Sequence, residues 1–124
     1  MSYVDGFVLP VPTENLATYK KMAQAAGKIW IEYGALEYRE CMVDDMNESF
    51  GMPFSKGVKL KAGETVFFSY IVFKSRAHRD KVNAKVMKDP RLMAMCDPKK
   101  SPFDVKRMMY AGFKPIVDLS QRKK

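Results

Sequence analysis

Residues 66–87 read VFFSYIVFKSRAHRDKVNAKVM, and this stretch decides the fold. Its first half is a strand apolar on both faces, with Val66, Phe68, Tyr70 and Val72 on one side and Phe67, Ile71 and Phe73 on the other. A strand with one face in water alternates apolar with polar, so this one asks for cover on both sides. Its second half has helical spacing. At 100° per residue Val82, Arg79, Val86, Asn83 and Met87 share one arc, while Lys81, Lys85 and Lys88 lie opposite.

The same periodicities extend outward. Tyr3–Val11 reads as a first strand closed by Pro10 and Pro12, and Thr13 stands where an N-cap is expected. A helix follows from Leu16, with Tyr19, Met22, Ala23, Ala26, Ile29, Trp30 and Tyr33 on its apolar arc and Gly34 as its C′ residue. Ala35–Val43 reads as a second strand. Residues 44–64 form an irregular segment broken by Gly51, Pro53, Gly57 and Gly63, with Val58–Lys61 as a short edge strand inside it. Connections of this length are often lids or binding loops. Ser75 caps the second long helix, Asp89-Pro90 restarts a short one, and Lys106–Val117 makes the last strand. The order β-α-β-β-α-β is that of an α+β, ferredoxin-like sheet with two helices on one face. The uncovered face implies a second copy packed sheet to sheet, a homodimer in the form of a dimeric α/β barrel.

At 124 residues the chain is read as one domain, 1–124, ending in a basic tail at 119–124. It has no apolar run of membrane-spanning length and no basic n-region ahead of an apolar one. The cytoplasm is therefore the expected compartment, with Cys41 and Cys96 reduced and Cys41 a small core residue. The net charge of +8 is uneven: residues 1–55 carry four basic and eight acidic side chains, and the remainder is strongly basic. Lys81, Lys85 and Lys88 form a stripe suited to phosphates. An RNA-binding sheet of this type also needs exposed aromatics on its open face, which a dimer would bury, so nucleic acid is the lesser expectation.

Several segments together resemble the uncharacterised YbaA-like family of small bacterial proteins: YVDGFVLPVP, GKIWIEYGALEY, FSYIVFKSRAHRDKVNAKVMKDPRL and SPFDVKRMMYAGF. The similarity runs from Tyr3 to about Asp118 and departs around Met46–Phe54. It implies a dimeric α/β barrel and carries over no activity and no catalytic residue.

Chemistry must then be sought in single side chains. Arg79 and Asn83 are polar residues on an apolar arc, and a buried guanidinium demands a partner. Glu40 and Asp5, each on an otherwise apolar strand face, are the candidates. The set either holds the carboxylate or phosphate of a ligand in the planar fork of Arg or forms an internal bridge that fixes helix to sheet. His78, the lone histidine, is a candidate acid or base. One His and two separated Cys exclude an ordinary structural zinc site, and Asp44, Asp45 and Glu48 do not match a calcium loop. No Walker loop, GxGxxG, GxSxG or HExxH occurs, so neither metal nor cofactor is expected. Trp30, Tyr33, Tyr38, Phe68, Tyr70 and Tyr110 are candidate walls of a pocket between helices and sheet. The functional expectation is a small anionic or aromatic organic molecule bound in that pocket. RNA binding or a ligand-free structural dimer stands as the alternative.

Overall fold

The computed structural model describes residues 2–121, so Arg122, Lys123 and Lys124 of the basic tail lie outside the described residues. The elements are β1 (Tyr3–Pro12), α1 (Leu16–Glu32), β2 (Glu37–Met42), the single turn α2 (Phe54–Gly57), β3 (Glu64–Phe73), α3 (Arg76–Met87), α4 (Pro90–Met95) and β4 (Met109–Phe113). The strands form one antiparallel sheet in the order β2-β3-β1-β4. This is the ferredoxin-like arrangement, with each βαβ crossover split by the strand between.

The helices lie on the Phe67–Phe73 side of the sheet. Ile71 and Phe73 meet Ile29 of α1, Val82 and Val86 of α3 and Leu92 of α4. Leu9, Val11 and Phe67 meet Tyr19 and Ala23. Helix ends follow their residues. Gly34 adopts φ +113° and lets Ala35 N–H reach back to the Trp30 carbonyl at 3.0 Å. Ser75 Oγ accepts from His78 N–H, and Asp89 accepts from Arg91 N–H with Pro90 at the first helical position.

On the other face, Phe68, Met109 and Phe113 are 45%, 43% and 57% exposed. Val66 there is buried and borders a cavity of about 420 Å³ shared with Pro53, Phe54 and Cys41. The long connection therefore lies against one end of the open face, and Phe68 and Tyr70 belong to that face rather than to a pocket under the helices. Cys41 is exposed, not a core residue, because β2 is an edge strand and Cys41 points away from the helices.

Other local differences have physical causes. The Thr13 hydroxyl donates to the Gly63 carbonyl from a 3₁₀ turn, and α1 begins after Asn15, whose side chain donates to the Pro102 carbonyl instead of capping. Val58–Lys61 makes no strand, since Lys59 takes φ +52° just after α2. The last strand is confined to Met109–Phe113, because Val105–Arg107 turn as a 3₁₀ helix capped by Asp104.

Asp89 links three helices. It accepts from Tyr33 Oη at 2.8 Å and from Arg91 Nε and Nη2 at 3.0 and 2.8 Å, while Arg91 also forks onto Glu32. Arg91 first, and then Tyr33, hold the Asp89 carboxyl well below the usual carboxylate range. The unfolded chain takes up this proton first, so the stabilisation is complete above about pH 4 and is lost as the pH falls further. Asp89→Asn is expected to give a shallower acid limb when urea midpoints are measured from pH 6 to 2. A limb as steep as that of the wild type would show that Asp89 is not part of it.

Candidate functional site

Two polar centres lie between the helices and the sheet, and they differ in kind. The first surrounds Asp5, which is 1% exposed near the start of β1. Arg79 Nη1 donates to its Oδ1 at 2.7 Å and Asn83 Nδ2 to its Oδ2 at 3.3 Å. Asn83 Oδ1 in turn accepts from Trp30 Nε1 at 2.9 Å. The same Arg79 nitrogen reaches Tyr110 Oη at 2.9 Å, its Nε reaches Asp80, and its guanidinium lies 4.9 Å from the centre of the Tyr3 ring. Gly112 makes room for that ring, since a Cβ there would fall 2.4 Å from Tyr3 Oη. Asp5, Arg79 and Asn83 are thus brought together, with each polar group engaged by another from this chain.

His78 serves the end of the same helix. Its Nδ1 accepts from Lys74 N–H at 3.0 Å, and its ring packs edge-on to Phe73 with centroids 6.0 Å apart. It lies against Gly34 rather than in a cavity lined by acid or base groups.

Glu40 is separate and forms the second centre. Tyr19 Oη donates to its Oε1 at 2.7 Å, Ser69 Oγ makes a short hydrogen bond to the same oxygen, and Tyr38 Oη donates to Oε2 at 2.9 Å. Among the described residues no cation pairs with it. Burial, reinforced by the Glu40 charge, pushes both phenols far above the ordinary tyrosine range. They are therefore donors at every physiological pH.

Glu40 lines an open-sided cleft of about 1010 Å³ between α1 and β2. Leu16, Ala23, Ile31, Met42 and Phe67 supply apolar walls, and the exposed Lys20, Gln24, Lys28 and Glu32 of α1 line it as well. Residues 44–64 contribute nothing to it, and neither Arg79, Asn83 nor His78 borders it or the smaller cavity.

Tyr19 and Ser69 were not legible as site residues. Ser69 interrupts an apolar run and Glu40 an apolar strand face, but only the register that sets Glu40 opposite Ser69 joins the two signals. Tyr19 is indistinguishable in sequence from a core aromatic on the helix arc.

A family model described as "Protein of unknown function (DUF1428)" matches residues 2–105. The chain belongs to this family. Relatives named "Uncharacterized protein YbaA", from Escherichia coli (strain K12) and Shigella flexneri, are each 41% identical over 118 residues, covering 95% of this chain and 99% of theirs. The YbaA-like resemblance read from the sequence is thereby established. Among solved structures, this DUF1428 chain is similar to SnoaB, described as a cofactor-independent oxygenase from Streptomyces nogalater, with TM-score 0.62, 6% identity and coverage of 97% and 98% of the two chains. It is also similar to an uncharacterized NIPSNAP domain protein from Burkholderia xenovorans, with TM-score 0.57, 12% identity and coverage of 96% and 99%. At such identities the likeness is one of fold.

The position of Tyr38 depends on a helix residue. A Cβ at Gly27 would lie 2.6 and 2.7 Å from two carbons of the Tyr38 ring, which is held from its other end by Glu40. Alanine gains up to about 1 kcal/mol in helix propensity, against about 1–3 kcal/mol for overpacking. Gly27→Ala is expected to lower the unfolding free energy by about 1 kcal/mol and to shift the Tyr38 ring resonances. A more stable variant with unshifted resonances would show that α1 does not rest on Tyr38.

Proposed function

We propose that this DUF1428 protein is a cytoplasmic homodimer that binds, and has the groups to act on, a small and largely apolar organic molecule in the cleft between α1 and β2. One observation carries the proposal: beneath the exposed polar side chains of α1, the apolar walls of the cleft meet Glu40, a carboxylate with no counter-charge among the described residues, which gathers Tyr19, Tyr38 and Ser69. An apolar concavity with a few convergent polar groups is the usual form of a small-molecule site. The likeness to an oxygenase supports this by analogy of fold alone. Arg79, Asn83 and Asp5 satisfy one another and serve in this proposal as a structural bridge, with His78 supporting the helix start. Exposed, unpaired Cys41 and Cys96 suit a reducing compartment, and no helix among the described residues is long and apolar enough to cross a membrane.

The second copy covers the open face in this proposal. Phe68, Met109 and Phe113 form a surface of side chains that a monomer leaves in water, and a two-fold pair is the simplest closed arrangement that covers it. The same exposure favours one other reading. Were the chain a monomer, Phe68, Tyr70 and Phe113 would be free to stack on the bases of single-stranded RNA.

Sedimentation equilibrium at micromolar concentration is expected to give twice the chain mass of 14.2 kDa, and Phe68→Glu is expected to halve it. A wild-type mass of one chain would contradict the dimer. Native mass spectrometry of freshly purified protein is expected to show a non-covalently retained organic molecule. Ile31→Trp, at an exposed position on the cleft wall, is expected to lose it.

A further inference from the structure

The hydrogen bonds at Glu40 leave a specific remainder. An ionised carboxylate offers about four lone-pair positions. Tyr19 and Ser69 occupy two on Oε1, and Tyr38 occupies one on Oε2. The second position on Oε2 has no protein donor among the described residues, and Glu40 borders the cleft.

The three hydroxyls are equally informative. Beside a carboxylate each must donate, so their protons are committed to Glu40. Burial and the Glu40 charge keep Tyr19 and Tyr38 from ionising. The Glu40 centre thus offers an incoming molecule an acceptor and a negative charge, while its own three hydroxyls have no proton to spare. The other polar side chains that line the cleft, Lys20, Gln24, Lys28 and Glu32, are exposed on α1.

We infer that the cleft selects an apolar molecule carrying one hydrogen-bond donor, a hydroxyl or an amine, which binds the unfilled position on Glu40 Oε2, and that it rejects carboxylates. This rests on the cleft proposed above as the binding site and adds the class of ligand. A donor completes the fourth position, whereas a carboxylate brought to the same point meets a like charge in a site of reduced dielectric. An apolar molecule without a donor gains the walls and leaves the position on Oε2 unfilled.

Three soluble probes of one shape separate these cases: 2-naphthol, 2-methoxynaphthalene and 2-naphthoate, each titrated into the intact protein at neutral pH with backbone amide shifts as the readout. The expected result is perturbation of α1 and β2, with 2-naphthol binding about ten-fold more tightly than either analogue, the worth of one hydrogen bond to a charged acceptor. Glu40→Gln supplies an amide donor in place of one acceptor and is expected to reduce the preference of 2-naphthol over 2-naphthoate about ten-fold. Equal affinities for the three probes at the cleft, or a preference unchanged in Glu40→Gln, would overturn the assignment of Glu40 and leave the cleft standing as a binding site. Absence of perturbation at the cleft by any probe would overturn both. If the variant fails to fold, the ranking of the three probes on the wild-type protein decides by itself.

Discussion

A buried carboxylate near the start of β1, one of the two inner strands, governs this structure. Asp5 on β1 is removed from water, and an unpaired charge there costs several kcal/mol. Each nearby element supplies part of the answer. From α3 come Arg79 and Asn83, α1 steadies Asn83 through Trp30, and β4 brings Tyr110 onto the guanidinium. Gly112 on β4 admits the Tyr3 ring that covers the same guanidinium. The two long helices and an edge strand are thus tied to one side chain, and their register on the sheet is set by its hydrogen bonds.

The Glu40 centre lacks that closure. It is also a carboxylate among apolar groups, but hydroxyls meet it where a cation is absent among the described residues. Hydroxyl donors satisfy lone pairs without cancelling charge. An arrangement of this kind is a local inconsistency of the sort that functional sites show. Gly27 lets α1 approach the Tyr38 ring, so even the absence of a side chain on the helix contributes to how the carboxylate is held. The contrast between the two centres is the basis for treating one as structural and the other as a binding site.

The sequence made the frame legible and left the site in pieces. Helical period placed Arg79 and Asn83 on the buried arc, and the need to pair a guanidinium narrowed its partner to Asp5 or Glu40. Choosing between them required the strand order β2-β3-β1-β4, which sets β1 and its Asp5 beneath α3 and puts β2 at the edge. Edge position also exposes Cys41, a placement that a lone apolar-looking strand does not reveal. The apolar outer face of β3 was readable as a demand for cover, and Phe68 does stand exposed there. The long connection was readable in length but not in place: it borders the open face rather than the cleft, with Pro53 and Phe54 lining a cavity there together with Val66. Ser69 and Tyr19 acquire meaning only through contacts that strand pairing creates.

The most direct test is to compare unfolding free energies of Arg79→Met and Glu40→Gln under one set of conditions. Arg79→Met leaves Asp5 buried without its cation, and the account predicts a loss of about 3–5 kcal/mol. Glu40→Gln keeps shape and can still pair with all three hydroxyls while removing an uncompensated charge, so a change within about 1 kcal/mol is predicted. Comparable large losses for both would contradict the account, because Glu40 would then be one more structural tie rather than a group held ready for a ligand.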